Sequence, residues 1–318
     1  MPVLSLVIPF LNESGNAARL GDFLRQFGAE IGERFGLELE TVLVDDGSRD
    51  DSIAQYRAHL SGNWKIAELS RNFGKEVAVF AGLEHASGDF VMMIDADLQH
   101  PYAVCIQLIE ELFAAPSLDV IYTIRDDRKQ ESLKKNLGSR LFYWLINFQQ
   151  RYHIPENAGD FRIMRRAVRD ALITVRDKRR FNKGLYAWTG FRQKGIFYTP
   201  DERQGSGSRW SRLALIGLSV EGITSFSVIP LRIFSILGAM TGLSGMIYGL
   251  KILLEVMFYG VSVPGYPSLM VAVAVFGGFN LALLGLIGEY LWVGVSEAKD
   301  RPLYLLRRVH RPDEADKP

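Results

Sequence analysis

Asp95 and Asp97 stand one residue apart at the end of the apolar run Val91-Met92-Met93-Ile94. Four apolar residues in succession read as a buried strand. Two carboxylates so close raise each other's pKa, and a hard divalent cation removes the conflict. Mg²⁺ commonly rests on one or two carboxylates together with substrate phosphates. The stretch through Gln99 therefore reads as a metal site for a phosphorylated substrate. Two more polar turns follow apolar runs: Pro9, Asn12 and Glu13 after 4–8, and Asp45-Asp46-Gly47-Ser48 after 41–44. In a parallel sheet all three lie beyond the carboxyl ends of strands, where α/β proteins bind ligands. A carboxylate at Asp45 suits a base N–H or a ribose hydroxyl, although an Asp-Gly-Ser turn accounts for the same residues.

The elements that must hold these turns are legible as an alternation. Apolar runs at 4–8, 41–44, 65–69, 90–94 and 120–123 are separated by amphipathic stretches such as 17–35 and 76–86. That order predicts an α/β fold, a mostly parallel, Rossmann-like sheet with helices on both faces. The 318 residues carry 37 basic and 36 acidic side chains, a net charge of +1 that gives no electrostatic case for nucleic acid. A single cysteine, Cys105, excludes an intrachain disulfide and reads as buried filler in a helix. The first residues have no basic stretch ahead of the apolar run, so they read as a strand rather than a signal peptide.

The character changes near Val228. Residues 233–250 and 256–288 carry no charge, and Gly and Pro at 260–267 break the second run. Two membrane spans are expected, roughly 232–257 and 267–290. Lys251 and Glu255, at i, i+4 spacing, interrupt the first span. From Arg232 to Lys251 a helix covers roughly 28 Å, so the pair reaches the far interface and can bond to itself. The loop 259–266 is uncharged, whereas Arg209, Arg212 and Arg232 precede the spans and Lys299, Arg301, Arg307, Arg308 and Arg311 follow them. Loop charge predicts a multi-pass inner-membrane protein with the catalytic part and both termini cytoplasmic. Residues 210–226 read as an amphipathic interfacial helix, and 132–152 as a second helix rich in aromatic and basic residues. Gly238, Gly242, Gly245 and Gly249 permit close helix contact, which points to a homo-oligomer. The expected organisation is a catalytic domain at 1–208, a juxtamembrane helix at 209–231, the two spans within 232–290 and a cytosolic tail at 291–318.

Together, Pro9…Asn12-Glu13, Val44-Asp45-Asp46-Gly47-Ser48, Ser70-Arg71-Asn72-Phe73-Gly74-Lys75, Asp95-Ala96-Asp97-Leu98-Gln99 and Gly159-Asp160-Phe161-Arg162 resemble the family-2 glycosyltransferases. Within these the chain is similar to the polyprenyl-phosphate sugar transferases, which include the bactoprenol glucosyltransferases and the dolichyl-phosphate mannose synthases. Glu221–Ser227 with Pro230-Leu231-Arg232, and Gly288-Glu289-Tyr290 before Arg301-Pro302-Leu303-Tyr304, are closest to the bactoprenol group. The resemblance implies a GT-A fold and an inverting transfer from a nucleotide sugar, UDP-glucose for the closest relatives, to undecaprenyl phosphate. GDP-mannose, UDP-N-acetylglucosamine, UDP-galactose and a UDP-linked modified arabinose are the alternative donors. The resemblance also implies that Asp95, Asp97 and Gln99 hold Mg²⁺ or Mn²⁺ against the donor diphosphate. It assigns the donor to Asp45 and its neighbours, to the 9–13 loop, and to Arg71, Asn72 and Lys75. It assigns the acceptor phosphate to Arg125, Arg140, Arg203 and Arg209, and places Asp160 at the reaction centre, as a base or as a group that orients an arginine. Ser206 and Arg209 stand where relatives usually carry glycine and lysine. His100 stands where they usually carry aspartate, and reads as the start of a helix. A processive polysaccharide synthase would carry Gln-x-x-Arg-Trp; Gln204 and Trp210 have a different spacing. A non-catalytic membrane scaffold would not need the intact Asp95, Asp97 and Gln99.

Overall fold

All five apolar runs become strands of one eight-stranded sheet in the computed structural model, whose described residues are 1–126, 143, 147, 152–156, 158–178, 180–199, 229–259 and 265–312. They are β1 (Val3–Phe10), β2 (Glu38–Asp45), β3 (Asn63–Leu69), β4 (Phe90–Met93) and β5 (Val120–Arg125). Three further strands are β6 (Ala158–Arg165), β7 (Gln193–Tyr198) and β8 (Leu306–His310). The order across the sheet is β7-β5-β6-β4-β1-β2-β3-β8. β4, β1, β2 and β3 pair in parallel and β7 is parallel to β5, whereas β6 and β8 run antiparallel to their neighbours. The sheet is thus mixed α/β and mostly parallel.

Eight described helices accompany it: α1 (Ala17–Phe35), α2 (Ser52–His59), α3 (Lys75–His85), α4 (Tyr102–Ala114), α5 (Arg166–Thr174), α6 (Asn182–Trp188), α7 (Ile229–Tyr259) and α8 (Tyr266–Ala298). Alternation along β1 divides them between two faces. Leu4, Leu6 and Ile8 join a core with Leu20, Leu24, Phe27 and Ile31 of α1 and Leu108 and Leu112 of α4. On the other face, Val44, Ala67 and Leu69 pack with Ala78 and Ala81 of α3. Cys105 is buried in α4, as its surroundings predict.

One buried carboxylate ties the central strands together. Glu40 on β2 is 1% exposed and pairs with Lys65 of β3 at 2.8 Å. It also accepts the Ser5 hydroxyl of β1 and, at 2.8 Å, the backbone N–H of Ser87 ahead of β4. Burial alone would raise its pKa, but these partners together bring it down to about 2. The ion pair's stabilisation is therefore complete above about pH 4.5, the carboxyl's ordinary value, and is lost as pH falls towards 2. Glu40→Ala is expected to cost about 3 kcal/mol, because it leaves Lys65 with an uncompensated charge. Thermal unfolding of Glu40→Ala beside Glu40→Ala/Lys65→Met checks this: the double variant should recover part of the loss.

The chain divides into two units. Residues 1–143, 150–209 and 301–318 form the first; residues 144–149 and 210–300 form the second. The division places the end of the chain differently from a simple tail. Residues 306–310 leave α8 behind and pair with β3 as β8, an edge strand of the sheet. Tyr304 donates its hydroxyl to Glu84 of α3 at 2.7 Å, and the Leu305 carbonyl accepts the Ser70 N–H at 2.8 Å.

In the second unit, Ile236, Met240, Leu243, Ile247, Leu254 and Phe258 of α7 all point outward. Leu269, Val273, Leu281, Leu284 and Leu291 of α8 do the same. Among the described residues one helical segment, Val275–Ala298, is long and apolar enough to cross a membrane; Ile236–Ile252 is a shorter apolar segment. Lys251 and Glu255 pair at 3.5 Å, as their spacing anticipates. Phe234 stacks on Phe279, and Gly238 approaches Phe279, whereas Gly242 and Gly249 face open space. The predicted helices at 132–152 and 210–226 lie largely outside the described residues.

Candidate active site

The carboxyl ends of β1 to β5 share one edge of the sheet, and the two antiparallel strands bring their amino ends to it. The register of β6 against β4 pairs Met93 with Arg162. Because the strands are antiparallel, Asp160, two residues before Arg162, falls level with Asp95, two residues after Met93. The two carboxylates meet on one ammonium. Lys75 Nζ, at the start of α3, is 2.6 Å from Asp95 Oδ1 and 3.6 Å from Asp160 Oδ2. Burial opposes the Lys75 charge, but Asp95 and Asp160 outweigh it and hold its pKa above the ordinary value. Burial likewise opposes the Asp95 charge, but Lys75 and His100 hold its pKa well below the carboxylate range. Asp95 is therefore firmly ionised.

The turn that follows is tightly formed. The Leu98 N–H donates to the Asp95 carbonyl at 3.3 Å, and Leu98 takes φ +52°, a left-handed conformation uncommon outside glycine. The Gln99 N–H donates to Asp97 Oδ1 at 3.2 Å. Asp95, Asp97 and Gln99 supply only hard oxygen donors, the set that suits Mg²⁺ or Mn²⁺. Among the described residues no three His, Cys, Asp or Glu side chains converge as a closed metal cage, so a cation held here would complete its shell with substrate phosphate and water. His100 lies two residues ahead of α4 rather than in it. Its ring stacks on Phe161 at 4.1 Å between centroids, and its Nε2 lies 3.7 Å from Asp95 Oδ2.

A second layer supports Asp160. Tyr186 of α6 donates its hydroxyl to Asp160 Oδ1 at 3.4 Å. The guanidinium of Arg162, 2% exposed, lies 3.5 Å above the Tyr186 ring and donates to the Gly159 carbonyl at 2.7 Å. Glu76, beside Lys75, accepts the Asn182 N–H at 2.7 Å. Burial, and then the Asp160 charge, push the Glu76 carboxyl from 4.5 up to about 7. The folded chain thus retains a proton that the unfolded chain releases, and stability falls as pH rises from about 4.5 to about 7. Glu76→Gln is expected to remove that slope. Unfolding of both chains across this range tests it, with the variant's relative stability growing towards pH 7.

Several of the residues predicted to bind a donor line a separate part of the same edge. A cleft of about 460 Å³ is lined by Leu11, Asn12, Gly47, Ser48, Arg49, Ser70, Arg71, Asn72 and Arg307; ligand pockets commonly span about 300–1,000 Å³. Two loops are clipped together at its wall. The Asn12 N–H donates to Ser48 Oγ at 2.9 Å, and the Arg49 N–H donates to Asn12 Oδ1 at 2.8 Å. The Glu13 N–H donates to Ser52 Oγ at 2.9 Å. Pro9 remains within β1, paired with Val44. Arg71 lays its guanidinium 3.9 Å from the centre of the Phe73 ring.

The acidic pair at 45–46 divides its hydrogen bonds between two loops. Asp46 accepts the Phe73 N–H at 2.7 Å and the Gly74 N–H at 3.0 Å, so it anchors the loop that leads to Lys75. Asp45 is buried, accepts the Ser48 N–H at 3.0 Å, and is not part of the cleft wall. Burial raises both carboxyls above their ordinary pKa. Gly47 is fixed by geometry: at φ +76° its Cβ would stand 2.5 Å from the Arg71 carbonyl carbon and 2.6 Å from Asn72 N.

Arg125 ends β5 at the same edge, in register with Tyr198. Arg140, Arg203 and Arg209 lie outside the described residues. Sequence reasoning passed over Glu76, Arg162, Tyr186 and Arg307. Arg162 stood inside a quoted motif, whereas Arg307 was counted only as a flanking charge.

The family model for glycosyl transferase family 2 matches residues 5–173. An uncharacterized glycosyltransferase of Synechocystis sp. is 38% identical, covering 95% of this chain and 94% of its own length. A bactoprenol glucosyl transferase of Shigella phage SfII is 36% identical, covering 97% of this chain and 98% of its own length. Among solved structures, mannosyl-3-phosphoglycerate synthase from Rubrobacter xylanophilus is similar with a TM-score of 0.46 at 14% identity, covering 83% of this chain and 78% of that one.

Proposed function

The chain belongs to glycosyl transferase family 2, and we propose that it transfers glucose from UDP-glucose to the phosphate of a membrane polyprenol, undecaprenyl phosphate, with inversion at the sugar carbon. The observation that carries this reading is one sheet edge holding both an arginine-lined cleft and the Asp95–Lys75–Asp160 cluster. The near full-length relative named bactoprenol glucosyl transferase supports the lipid acceptor.

The nucleoside half of the donor occupies the cleft, and its diphosphate reaches across to Asp95 and Asp97. Asp95, Asp97 and Gln99 would hold a Mg²⁺ or Mn²⁺ ion, which would supply charge neutralisation of the departing nucleotide. The acceptor phosphate is already anionic at neutral pH, so its oxygen needs little help from a base. It attacks the anomeric carbon from the face opposite the nucleotide; the new C–O bond forms as the old one breaks, and the bonding pair leaves with UDP. The protein's work is to bring two anions together in line. Arg125, Arg140, Arg203 and Arg209 grip the acceptor phosphate in the bidentate manner arginine favours. Asp160, fixed by Lys75 and Tyr186, lines the reacting centre, and Lys75 keeps Asp95 and Asp160 from repelling each other.

The course of the chain supports a membrane hairpin as part of this proposal. The first unit contains both residues 1–143 and the returning strand β8. A chain that leaves one side of a bilayer and returns to it crosses an even number of times. The apolar segment Val275–Ala298 supplies one crossing; α7, with its outward apolar side chains and 31-residue length, supplies the other. The hairpin, the cytoplasmic position of both termini and the juxtamembrane helix at 209–231 belong to this reading. The open face at Gly242 and Gly249 suits a second copy of the chain.

Purified protein, polyprenyl phosphate and a panel of radiolabelled nucleotide sugars test the assignment. Label from UDP-glucose is expected in the lipid fraction. Labelling from GDP-mannose, UDP-N-acetylglucosamine or a UDP-linked arabinose in its place would change the donor; no lipid labelling from any of them would overturn the transfer itself.

A further inference from the structure

The cleft wall contains one residue that the chain delivers from far away in sequence. Arg307 is on β8, beyond α7 and α8, and the antiparallel pairing with β3 brings the start of β8 to the ligand-binding edge. The side chain is exposed but held. Nη1 lies 2.9 Å from Glu68 Oε1, and Nη2 donates to the Ser70 carbonyl at 3.4 Å. The other oxygen of Glu68 lies 3.1 Å from His310 Nε2 of the same strand. Glu68 is largely buried between them, so the guanidinium is oriented before any ligand arrives, and little rotamer freedom remains to be lost on binding.

Its place in the strand order identifies what it faces. Asp95 follows β4, and β8 lies four strands away through β1, β2 and β3. At about 4.8 Å per strand the separation is roughly 19 Å, too far for Arg307 to touch a diphosphate held at Asp95 and Asp97. The far end of the donor is its nucleoside. A guanidinium with N–H groups left over offers them to a base or ribose oxygen, and its planar cation to the face of the base. We propose that Arg307 forms the base-side wall of the donor cleft and binds the nucleoside, so that the strand returning from the apolar helices is part of the nucleotide site. This rests on the nucleotide-sugar reading above.

Titration of the purified full-length chain with UDP and with UMP tests the assignment, beside Arg307→Ala, Arg307→Lys and Arg308→Ala. Arg308 is the next residue of β8 but is not part of the cleft wall, so Arg308→Ala removes the same charge from outside the cleft. Arg307→Ala is expected to weaken UDP and UMP by the same factor, about tenfold, because the lost contact is to uridine. Arg307→Lys should fall between, Arg308→Ala should stay within twofold of the unaltered chain, and the donor KM should rise while kcat stays within twofold. Unchanged UDP affinity in Arg307→Ala, loss for UDP alone, or an equal loss in Arg308→Ala would overturn the proposal. An unaltered chain that binds neither UDP nor GDP would overturn the nucleotide-sugar reading instead.

Discussion

Asp97→Asn is expected to lower the rate of sugar transfer about a thousandfold, the scale set by several kcal/mol of lost charge stabilisation at a metal-assisted centre. The substitution is nearly isosteric. Asp97 Oδ1 accepts the Gln99 N–H at 3.2 Å, and the amide oxygen of asparagine accepts the same bond. The turn therefore stays formed, and the melting temperature should hold within a degree or two. Asp95→Asn is a poorer probe, because it also breaks the 2.6 Å pair with Lys75 and releases that ammonium towards Asp160. Initial rates at saturating donor, with melting curves for both proteins, check the expectation. An Asp97→Asn chain that is folded and fully active would remove the metal from the account.

Gly47→Ala is the second large effect, and it acts through backbone. The new methyl would stand 2.5 Å from the Arg71 carbonyl carbon, inside any real contact, so the 70–74 loop must move. That loop carries Arg71 and Asn72 of the cleft wall, is pinned by Asp46 at Phe73 and Gly74, and leads directly into Lys75. Displacement of about 1 Å at a reacting centre costs about a hundredfold, and a loss of that order in kcat/KM is expected. Gly62 provides the control. It has nearly the same φ, +74°, but nothing within 4 Å of its Cβ position. Gly62→Ala should show only the conformational cost, about 1 kcal/mol, with activity intact.

The contrast between Gly47 and Gly62 mirrors what was legible before the structure. Strands β1, β2, β4 and β5 could be read because strands buried on both faces are near-continuous apolar runs, and β3 could be read although Lys65 and Glu68 interrupt it. The amphipathic period of α1 was equally plain, and its observed bounds, Ala17–Phe35, match the stretch read from the pattern. β6 and β8 defeated that reading for two different reasons. β6 carries Arg162 in its middle, whose burial is tolerated only because Tyr186 offers a ring face and Gly159 a carbonyl. β8 is an edge strand, Leu-Arg-Arg-Val-His, with the polar composition that edges favour. Missing those two strands hid two consequences. The meeting of Asp160 with Asp95 depends on the antiparallel register of β6, and the presence of Arg307 in the cleft depends on that of β8. The acids themselves were legible, since two carboxylates after a buried strand have few structural uses. The separate duties of Asp45 and Asp46 were not, because only the neighbouring loops reveal which oxygens are already taken.

The account reduces to a division of labour along one sheet edge. The proposed reaction assigns the nucleoside to the loops after β1, β2 and β3, the diphosphate to the turn after β4, and the acceptor-side carboxylate to β6. Its most direct test is incubation of the purified full-length chain with radiolabelled UDP-glucose and undecaprenyl phosphate, with and without a chelator, followed by mass analysis of the lipid fraction. The account predicts a lipid phosphate carrying one hexose, formed only when Mg²⁺ or Mn²⁺ is supplied and absent when the acceptor is the unphosphorylated polyprenol. Glucosylation that proceeds undiminished in excess chelator, or that takes the unphosphorylated polyprenol equally well, would contradict it.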